Sequence, residues 1–315
     1  MFRKKRKDAG GCGRPDDLER VSRCWANLAE HHADRPNWLN SPTIARRVNR
    51  RIGGDENRSW FDWFQSQYLP EARWGGRGLS LGCNHGLFER QILKRGICSA
   101  MDGYDVSLRS IEIARTAAAA EGLDLHYEVA DVNTLALPPG RYDLVVAAAA
   151  IHHFERLEHV FAGVHEALTP AGFFVFNEYV GPARFQWTDA QLRAINQLRA
   201  ALPLELRRLS DGSLAPPVAR ADLEALLRED PSEAVRSDEI VPLARAYFDV
   251  VEQRDFGGTI LHMFFHEILA NFDETRPEHV ALIEMVCAAE EVLIEEGILP
   301  SDFAVLVCRR KDAAP

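Results

Sequence analysis

The stretch that decides the fold is GLSLGCNHGLFERQIL, residues 78–93. An apolar strand pattern over 78–82 runs into the loop GCNHG (82–86), and a helix is predicted directly after it, over 87–95. Glycines at a strand-to-helix turn permit tight backbone angles and let a ligand approach the backbone closely. Asn84 stands at the middle position, where asparagine tolerates a positive φ. Taken alone, the loop fits both an ordinary turn and a ligand site.

Strand and helix patterns alternate around this loop. From about 77 to 180, short apolar runs alternate with segments of helical period, which is typical of β-α-β units around a parallel sheet. Ser107 is a natural N-cap for a helix over 107–121. The run YDLVVAA (142–148) is apolar throughout, as in a strand covered on both faces. The remaining predictions are a strand that ends at Tyr104, strands over 125–130 and 172–178, and a helix over 156–168.

The pattern changes after residue 180. Residues 180–246 hold no clear strand, but Thr188 and Gln191 form a capping-box pattern that begins a helix. Two more strands are predicted over 247–256 and 302–310, with helical sequence between them at 259–297. We therefore predict one α/β domain with five parts: a flexible basic tail (1–20), an N-terminal helical extension (21–76), an α/β core (77–180), a helical lid for substrate recognition (181–246), and the C-terminal part of the core (247–315).

Composition and charge restrict the class of protein. The chain has 315 residues, 46% of them apolar, which is enough for a full core. No apolar run reaches the roughly 18 residues of a membrane helix, and no secretory signal follows the basic start. The six cysteines are scattered without a C-x-x-C pair, which argues against a zinc site or a disulfide scaffold. We predict a soluble, cytoplasmic protein, and the sequence leaves its oligomeric state open.

The net charge of −10 is unevenly distributed. Residues 221–315 contain 21 acidic and 8 basic residues, a balance of −13, whereas the first 58 residues carry +6. Nucleic-acid binding requires a broad basic surface, so we do not predict a nucleic-acid partner. The arginine pairs at 46–47 and 50–51 fit a solvated helix face or an anionic small molecule.

An acidic residue follows the glycine loop at an informative distance. Asp105 lies 19 residues after Gly86, at the end of the next predicted strand, from which a carboxylate can hold ribose hydroxyls. Asp131 follows the third strand and is placed to approach an adenine. Strand, loop, helix and spaced acids together predict a nucleoside ligand.

These segments resemble the class I S-adenosylmethionine-dependent methyltransferases. GLSLGCNHG resembles the first motif of that family, GYDVSLRSIEIAR (103–115) its second-strand motif, EVADVNTLALPPGRYDLVVAAAAIHHF (128–154) its adenine and fourth-strand region, and LTPAGFFVFNEYVG (168–181) its fifth strand. The resemblance implies a Rossmann-like, mostly parallel sheet of seven strands with an antiparallel last strand and helices on both faces. It implies S-adenosylmethionine as the cofactor.

The resemblance also assigns cofactor-binding residues. Asp105 would bind the ribose, Asp131 with Val132 the adenine, and the loop backbone the methionine part. Ser80 stands where the family has an acidic residue. The expected set is Ser80, Gly82, Cys83, Asn84, Gly86, Asp105, Val106, Asp131, Val132 and Ala148.

The chemistry is expected at the carboxyl ends of the strands. His152 and His153 follow the fourth strand, and Glu178 ends the fifth. Histidine is the natural base near neutral pH, and a glutamate can orient it. We predict these three as catalytic residues, with a structural hydrogen bond as the alternative role of either histidine.

An acceptor site is predicted at the entrance of the helical lid. Tyr179, Arg184, Gln186 and Trp187 combine aromatic, guanidinium and amide groups that suit a polar small molecule, such as a glycan or a secondary metabolite. His262 and His266 lack the H-E-x-x-H zinc pattern and are predicted to pack in the core, so no metal site is expected. Two other functions stay open: a non-catalytic cofactor-binding or regulatory protein, and a nicotinamide-dependent oxidoreductase, which the G-x-N-x-G spacing disfavours.

Overall fold

A seven-stranded sheet organises the part of the chain that this computed structural model describes, residue 21 and residues 37–69 and 75–312. The order across the sheet is β3-β2-β1-β4-β5-β7-β6, and the last strand in sequence runs antiparallel to both its neighbours. The predicted sheet is therefore confirmed. Its strands are β1 (Gly76–Leu81), β2 (Cys98–Asp105), β3 (Leu125–Val129), β4 (Tyr142–Ala148), β5 (Leu168–Tyr179), β6 (Phe248–Gly257) and β7 (Phe303–Arg310).

Helices connect and cover these strands. In chain order they are α1 (Pro42–Gly53), α2 (Trp60–Tyr68), α3 (Leu87–Lys94), α4 (Leu108–Glu121), α5 (Leu157–Ala167), α6 (Asp189–Ala200), α7 (Leu223–Glu229), α8 (Ile240–Tyr247), α9 (Leu261–Phe264) and α10 (Pro277–Glu295). Within the described ranges, no helix combines the length and the apolar content needed to cross a bilayer. The predicted tail 1–20 lies outside the described residues.

Local sequence signals explain where several helices begin. The Ser107 side chain accepts a hydrogen bond from the Ser110 N–H at 3.3 Å at the start of α4. Thr188 and Gln191 form the predicted capping box at the start of α6, with both reciprocal bonds present. The helical sequence at 259–297 is split, because α9 is a single turn and a new helix begins at Pro277, the favoured residue type for a first helical position.

Both faces of the sheet are buried under helices. On β5, Phe173 belongs to a buried cluster with residues of α1, α2, α9 and α10, whereas Phe174 belongs to a second cluster with residues of α5 and α8. Neighbouring strand residues point to opposite faces, so a run of apolar residues is needed for two buried layers. Ile240 and Ala244 of α8 belong to the second layer, so the last helix of the predicted lid packs against the core.

Some of the basic residues near the N-terminus form ion pairs with acidic residues near the C-terminus. Arg47 of α1 forms ion pairs with Glu284 at 2.5 Å and Glu291 at 2.8 Å, both on α10. Arg50 pairs with Glu56, next to its own helix. The basic N-terminal helix therefore packs against an acidic C-terminal helix, which accounts for part of the excess acid after residue 220.

Candidate active site

The glycine loop adopts a conformation that explains its residues. Gly82, Asn84 and Gly86 have φ values of 71°, 46° and 67°, in the left-handed region. A Cβ on Gly82 would lie 2.5 Å from the Cβ of Ala150, and one on Gly86 would lie 2.3 Å from the Oη of Tyr127. Both contacts are too short for any larger residue. The prediction of positive φ at Asn84 is confirmed.

A cleft lies beside this loop, at the carboxyl ends of β1, β2 and β4. Strand order reverses between β1 and β4, and open α/β sheets bind ligands at such a switch point. The cleft has about 790 Å³ of space, part of it open to solvent, which is the size of a small-molecule site. Seven of the ten predicted cofactor-binding residues line it: Gly82, Asn84, Asp105, Val106, Asp131, Val132 and Ala148. Lining residues that the sequence did not indicate include Val21, Ala130, Asn133, Ala149, Ala150, Phe154 and Ser232.

Asp105 connects the loop to the wall of the cleft. Its Oδ2 accepts a hydrogen bond from the Asn84 N–H at 2.9 Å, and its Oδ1 accepts one from the Ser107 N–H at 2.8 Å. Burial raises the pKa of Asp105, although these backbone donors oppose the rise. Each carboxylate oxygen has a second lone pair, so Asp105 can accept further bonds from a ligand in the cleft.

Asp131, which follows the neighbouring strand β3, is fixed in a similar way. Its Oδ1 accepts hydrogen bonds from the N–H and the Nδ2 of Asn133, both at 2.9 Å. This turn holds the segment after β3 in place, with Val132 largely buried beside it.

Three predicted cofactor-binding residues, Ser80 on β1 and Cys83 and Gly86 in the loop, lie outside the set that lines the cleft. The Ser80 hydroxyl donates to the Oε1 of Glu89 at 2.5 Å, in the first turn of α3. Glu89 is buried, and burial raises its pKa to about 7. A carboxyl group is therefore present below the loop, on α3 and not on β1.

The three predicted catalytic residues lie together after β4 and at the end of β5, and of the three only His153 lines the cleft. The Nδ1 of His152 forms a hydrogen bond with the Oε1 of Glu178. The other oxygen of Glu178 accepts from the N–H groups of Ala150 at 2.9 Å and Ile151 at 2.6 Å, so this carboxylate also fixes the turn after β4. Burial lowers the pKa of His152, but the paired Glu178 carboxylate outweighs burial and brings it to about 9.

His153 faces the cleft and is held by a residue distant in sequence. Its Nδ1 lies 2.9 Å from the Oγ of Ser232 and 3.7 Å from the Oδ2 of Asp230. Burial holds the pKa of His153 well below its usual range. The Nε2 of His152 lies 3.5 Å from the Oε1 of Glu233, whose pKa burial raises.

Sequence reasoning missed the contribution of residues 230–233. They come from the predicted lid, about 80 positions after the histidines, and no motif or spacing connects the two segments. The pattern D-P-S-E offers only a weak signal, an aspartate and a serine suited to a tight turn, and that turn is present: Asp230 Oδ1 accepts from the Ser232 N–H at 2.8 Å.

The four predicted substrate-binding residues lie outside the set that lines the cleft. They are held by contacts with the insertion after β5, residues 181–246, which was predicted to be the lid. Tyr179 donates to the carbonyl of Pro182 at 3.0 Å, and Arg184 Nη1 donates to the carbonyls of Pro231 at 2.7 Å and Glu233 at 3.0 Å. Gln186 and Trp187 are held in the same region by a backbone carbonyl and by a stacked ring. Their role in acceptor binding stays a prediction.

His262 packs among aromatic rings, as predicted, whereas the same prediction is wrong for His266, which is exposed. The rings of Tyr179, Phe185, Trp187 and Phe303 all have centroids between 5.4 and 6.3 Å from its own. Burial lowers the pKa of His262 to about 4, so it is a neutral member of this cluster.

Comparison with known proteins bears on the same segments. Residues 79–172 match a family described as a methyltransferase domain. The chain is 29% identical over 98 residues to the ubiquinone biosynthesis O-methyltransferase of Brucella anthropi and 27% identical over 108 residues to that of Idiomarina loihiensis. These alignments cover 31% and 34% of this chain and 39% and 44% of the relatives, so the chain spans about two fifths of their length.

Solved structures extend the likeness of the fold. A geranyl diphosphate C-methyltransferase from Streptomyces coelicolor, solved with Mg²⁺, geranyl diphosphate and S-adenosyl-L-homocysteine, superposes with a TM-score of 0.53 at 13% identity, over 95% of this chain and 99% of the other. A geranyl diphosphate methyltransferase in complex with GPP and sinefungin gives 0.52 at 15% identity, over 93% and 99% of the two chains. Likeness at this level of identity shows a shared fold.

Proposed function

We propose that this chain, in which residues 79–172 match a methyltransferase domain, is a class I S-adenosylmethionine-dependent methyltransferase that transfers a methyl group to a small or medium-sized polar acceptor. The observation that carries the proposal is the cleft itself. It combines the glycine loop and the Asp105 carboxylate at one end with His153 at the other. S-adenosylmethionine supplies an electrophilic methyl group when it is bound, and the comparisons support it as the cofactor of this domain.

The residues of the cleft fit this cofactor. Asp105 would accept hydrogen bonds from the ribose hydroxyls, and Asp131 with Val132 would border the adenine. The Oδ1 of Asn84 is buried and has no hydrogen-bond partner in the part of the chain that the structure describes. Buried acceptors are nearly always satisfied, so this atom suits the ammonium group of the methionine part. Asn84 would thus serve in place of the carboxylate that Ser80 lacks.

The acceptor would lie between the cofactor and the residues that follow β4 and β5. Methyl transfer is an in-line displacement, so the acceptor atom must be held opposite the sulfur and must lose a proton if it is a hydroxyl. His152, His153 and Glu178 are the groups we propose for handling that proton. Imidazoles and carboxylates at this end favour an oxygen acceptor, in agreement with the O-methyltransferase names of the curated relatives.

Calorimetry with S-adenosylhomocysteine tests the proposal. We expect micromolar binding to the full chain and a roughly 10- to 100-fold loss for Asp105→Asn, because hydrogen bonds to a charged group contribute about 1.5–3 kcal/mol. Asp124→Asn is a matched control, since Asp124 is exposed just before the amino end of β3, whereas Asp105 lies at the carboxyl end of β2. No detectable binding, or equal affinity for both variants, would contradict the assignment. Turnover with hydroxyl acceptors then separates an enzyme from a non-catalytic binding protein.

A further inference from the structure

We propose that His152, His153 and Glu233 form a binding site for a divalent transition-metal ion, zinc being the best fit, at the acceptor end of the cleft. One donor atom of each residue lies within 4.8 Å of the donor atoms of the other two. Two imidazoles and one carboxylate are a common ligand set for catalytic zinc, which keeps one position open for water or substrate.

The distances suit a single ion. The Nε2 of His152 lies 3.5 Å from the Oε1 of Glu233, and the two imidazole rings have centroids 4.1 Å apart. Ligands bound at about 2.0–2.1 Å in a tetrahedron are separated by about 3.3 Å. Side-chain rotations alone would therefore bring the three donor atoms around one ion.

A hydrogen bond between its Nδ1 and an oxygen of another residue already orients each imidazole. The Nδ1 of His152 pairs with Glu178, and the Nδ1 of His153 pairs with the Oγ of Ser232, which itself donates to Asp230 at 2.5 Å. Metal-binding histidines almost always have such a partner, because it fixes the ring and raises the basicity of the coordinating nitrogen. The pattern assigns Nε2 of both rings as the coordinating atom.

The insertion is built to hold Glu233 against the histidines. Arg184 Nη1 donates to the carbonyl of Glu233, and the Val235 N–H donates to the carbonyl of His152 at 3.0 Å. Arg184 and Ala234 have φ values of 57° and 45° although neither is glycine. Strained backbone of this kind persists only where surrounding contacts enforce it, and it clusters at functional sites.

The site would act on the acceptor of the proposed function, and this part of the inference rests on that function. An acceptor hydroxyl in the open position would lose its proton to water, since a bound cation lowers the pKa of an oxygen ligand. The oxygen lone pair then forms the new O–CH₃ bond while the electron pair of the C–S bond stays with sulfur, leaving a neutral thioether. The substrate class is therefore an alcohol or a phenol.

Cobalt binding to the metal-stripped full chain tests the site without any enzyme assay. We expect one Co²⁺ per chain with visible absorption typical of four-coordinate cobalt, displaced by Zn²⁺. Glu233→Gln keeps the size of the side chain and should weaken Co²⁺ binding by about 100-fold or more. Ser232→Ala, which removes only the partner of His153, should weaken it by about tenfold. Glu229→Gln, an exposed change four residues earlier, is the matched control.

The outcomes separate this inference from the proposed function. Loss of Co²⁺ binding in Glu233→Gln, with unchanged binding of S-adenosylhomocysteine, supports the metal site. Absence of Co²⁺ and Zn²⁺ binding in a chain that binds S-adenosylhomocysteine overturns the metal site alone and leaves the histidines as a metal-free proton-transfer group. Equal Co²⁺ affinity in Glu233→Gln and Glu229→Gln also overturns it.

Discussion

Replacing Glu89 by glutamine should remove a large pH dependence from the stability of the fold. Glu89 is 1% exposed, beneath the glycine loop, and its Oε1 accepts the Ser80 hydroxyl. Its pKa is about 7 in the folded chain, because burial disfavours the carboxylate. Glutamine has nearly the same shape and can accept the same bond, but it cannot ionise.

The magnitude follows from the difference between folded and unfolded pKa values. An unfolded glutamate has a pKa of about 4.3, so the folded chain holds this proton more tightly by nearly three pH units. The stability that the proton provides is fully present below about pH 4.3 and is lost as the pH rises through about 7. Each unit corresponds to about 1.4 kcal/mol, which gives a loss of about 3 to 4 kcal/mol.

The assay is urea unfolding of the wild type and Glu89→Gln at pH 5 and pH 8. Other groups titrate equally in both proteins, so the difference between their free energies of unfolding isolates Glu89. At pH 5, the buried amide lacks partners for its donors, and we expect the variant to be equal to or less stable than the wild type. Between pH 5 and pH 8 the variant should gain about 3 kcal/mol relative to the wild type.

Glu112→Gln is a suitable control, because Glu112 is exposed on the next helix and should give parallel curves. A difference between Glu89→Gln and wild type that changes by less than about 1 kcal/mol over this range would refute the reasoning. It would mean that groups other than the Ser80 hydroxyl stabilise the buried carboxyl as an anion.

Three further substitutions test separate parts of the argument. Gly86→Ala should destabilise the fold by about 3 kcal/mol, measured by urea unfolding, because its Cβ would meet the Oη of Tyr127 at 2.3 Å in a left-handed backbone. Asn84→Gly keeps the loop conformation but removes the unpartnered Oδ1, so we expect stability within about 1 kcal/mol and roughly tenfold weaker binding of S-adenosylhomocysteine by calorimetry. Arg47→Gln breaks two half-exposed ion pairs and should cost about 1 kcal/mol or less, a cost that 0.5 M salt reduces.

Residues close in sequence were the predictable part of the molecule. The loop at 82–86, the helix starts at Ser107 and Thr188, and Asp105 all follow from local backbone rules or from spacing along one β-α-β unit. Ser80 and Glu89 form a pair that sequence could have indicated, since an acidic residue stands on the buried face of α3, near Ile92. Nothing local indicates Ser232 or Glu233, because their positions depend on how the insertion folds back.

The insertion after β5 is hydrogen-bonded to the turn after β4 that carries the predicted catalytic histidines. The Val235 N–H of the insertion donates to the His152 carbonyl at 3.0 Å. The Arg184 N–H donates to the Ala234 carbonyl at 2.7 Å, and its side chain binds the backbone on either side of Ser232. Moving this segment away from the histidines would break these bonds, each of which contributes about 0.5–1.5 kcal/mol to stability. Ser232 of this segment lines the cleft, so we expect the selectivity for an acceptor to depend on the side chains of residues 230–235.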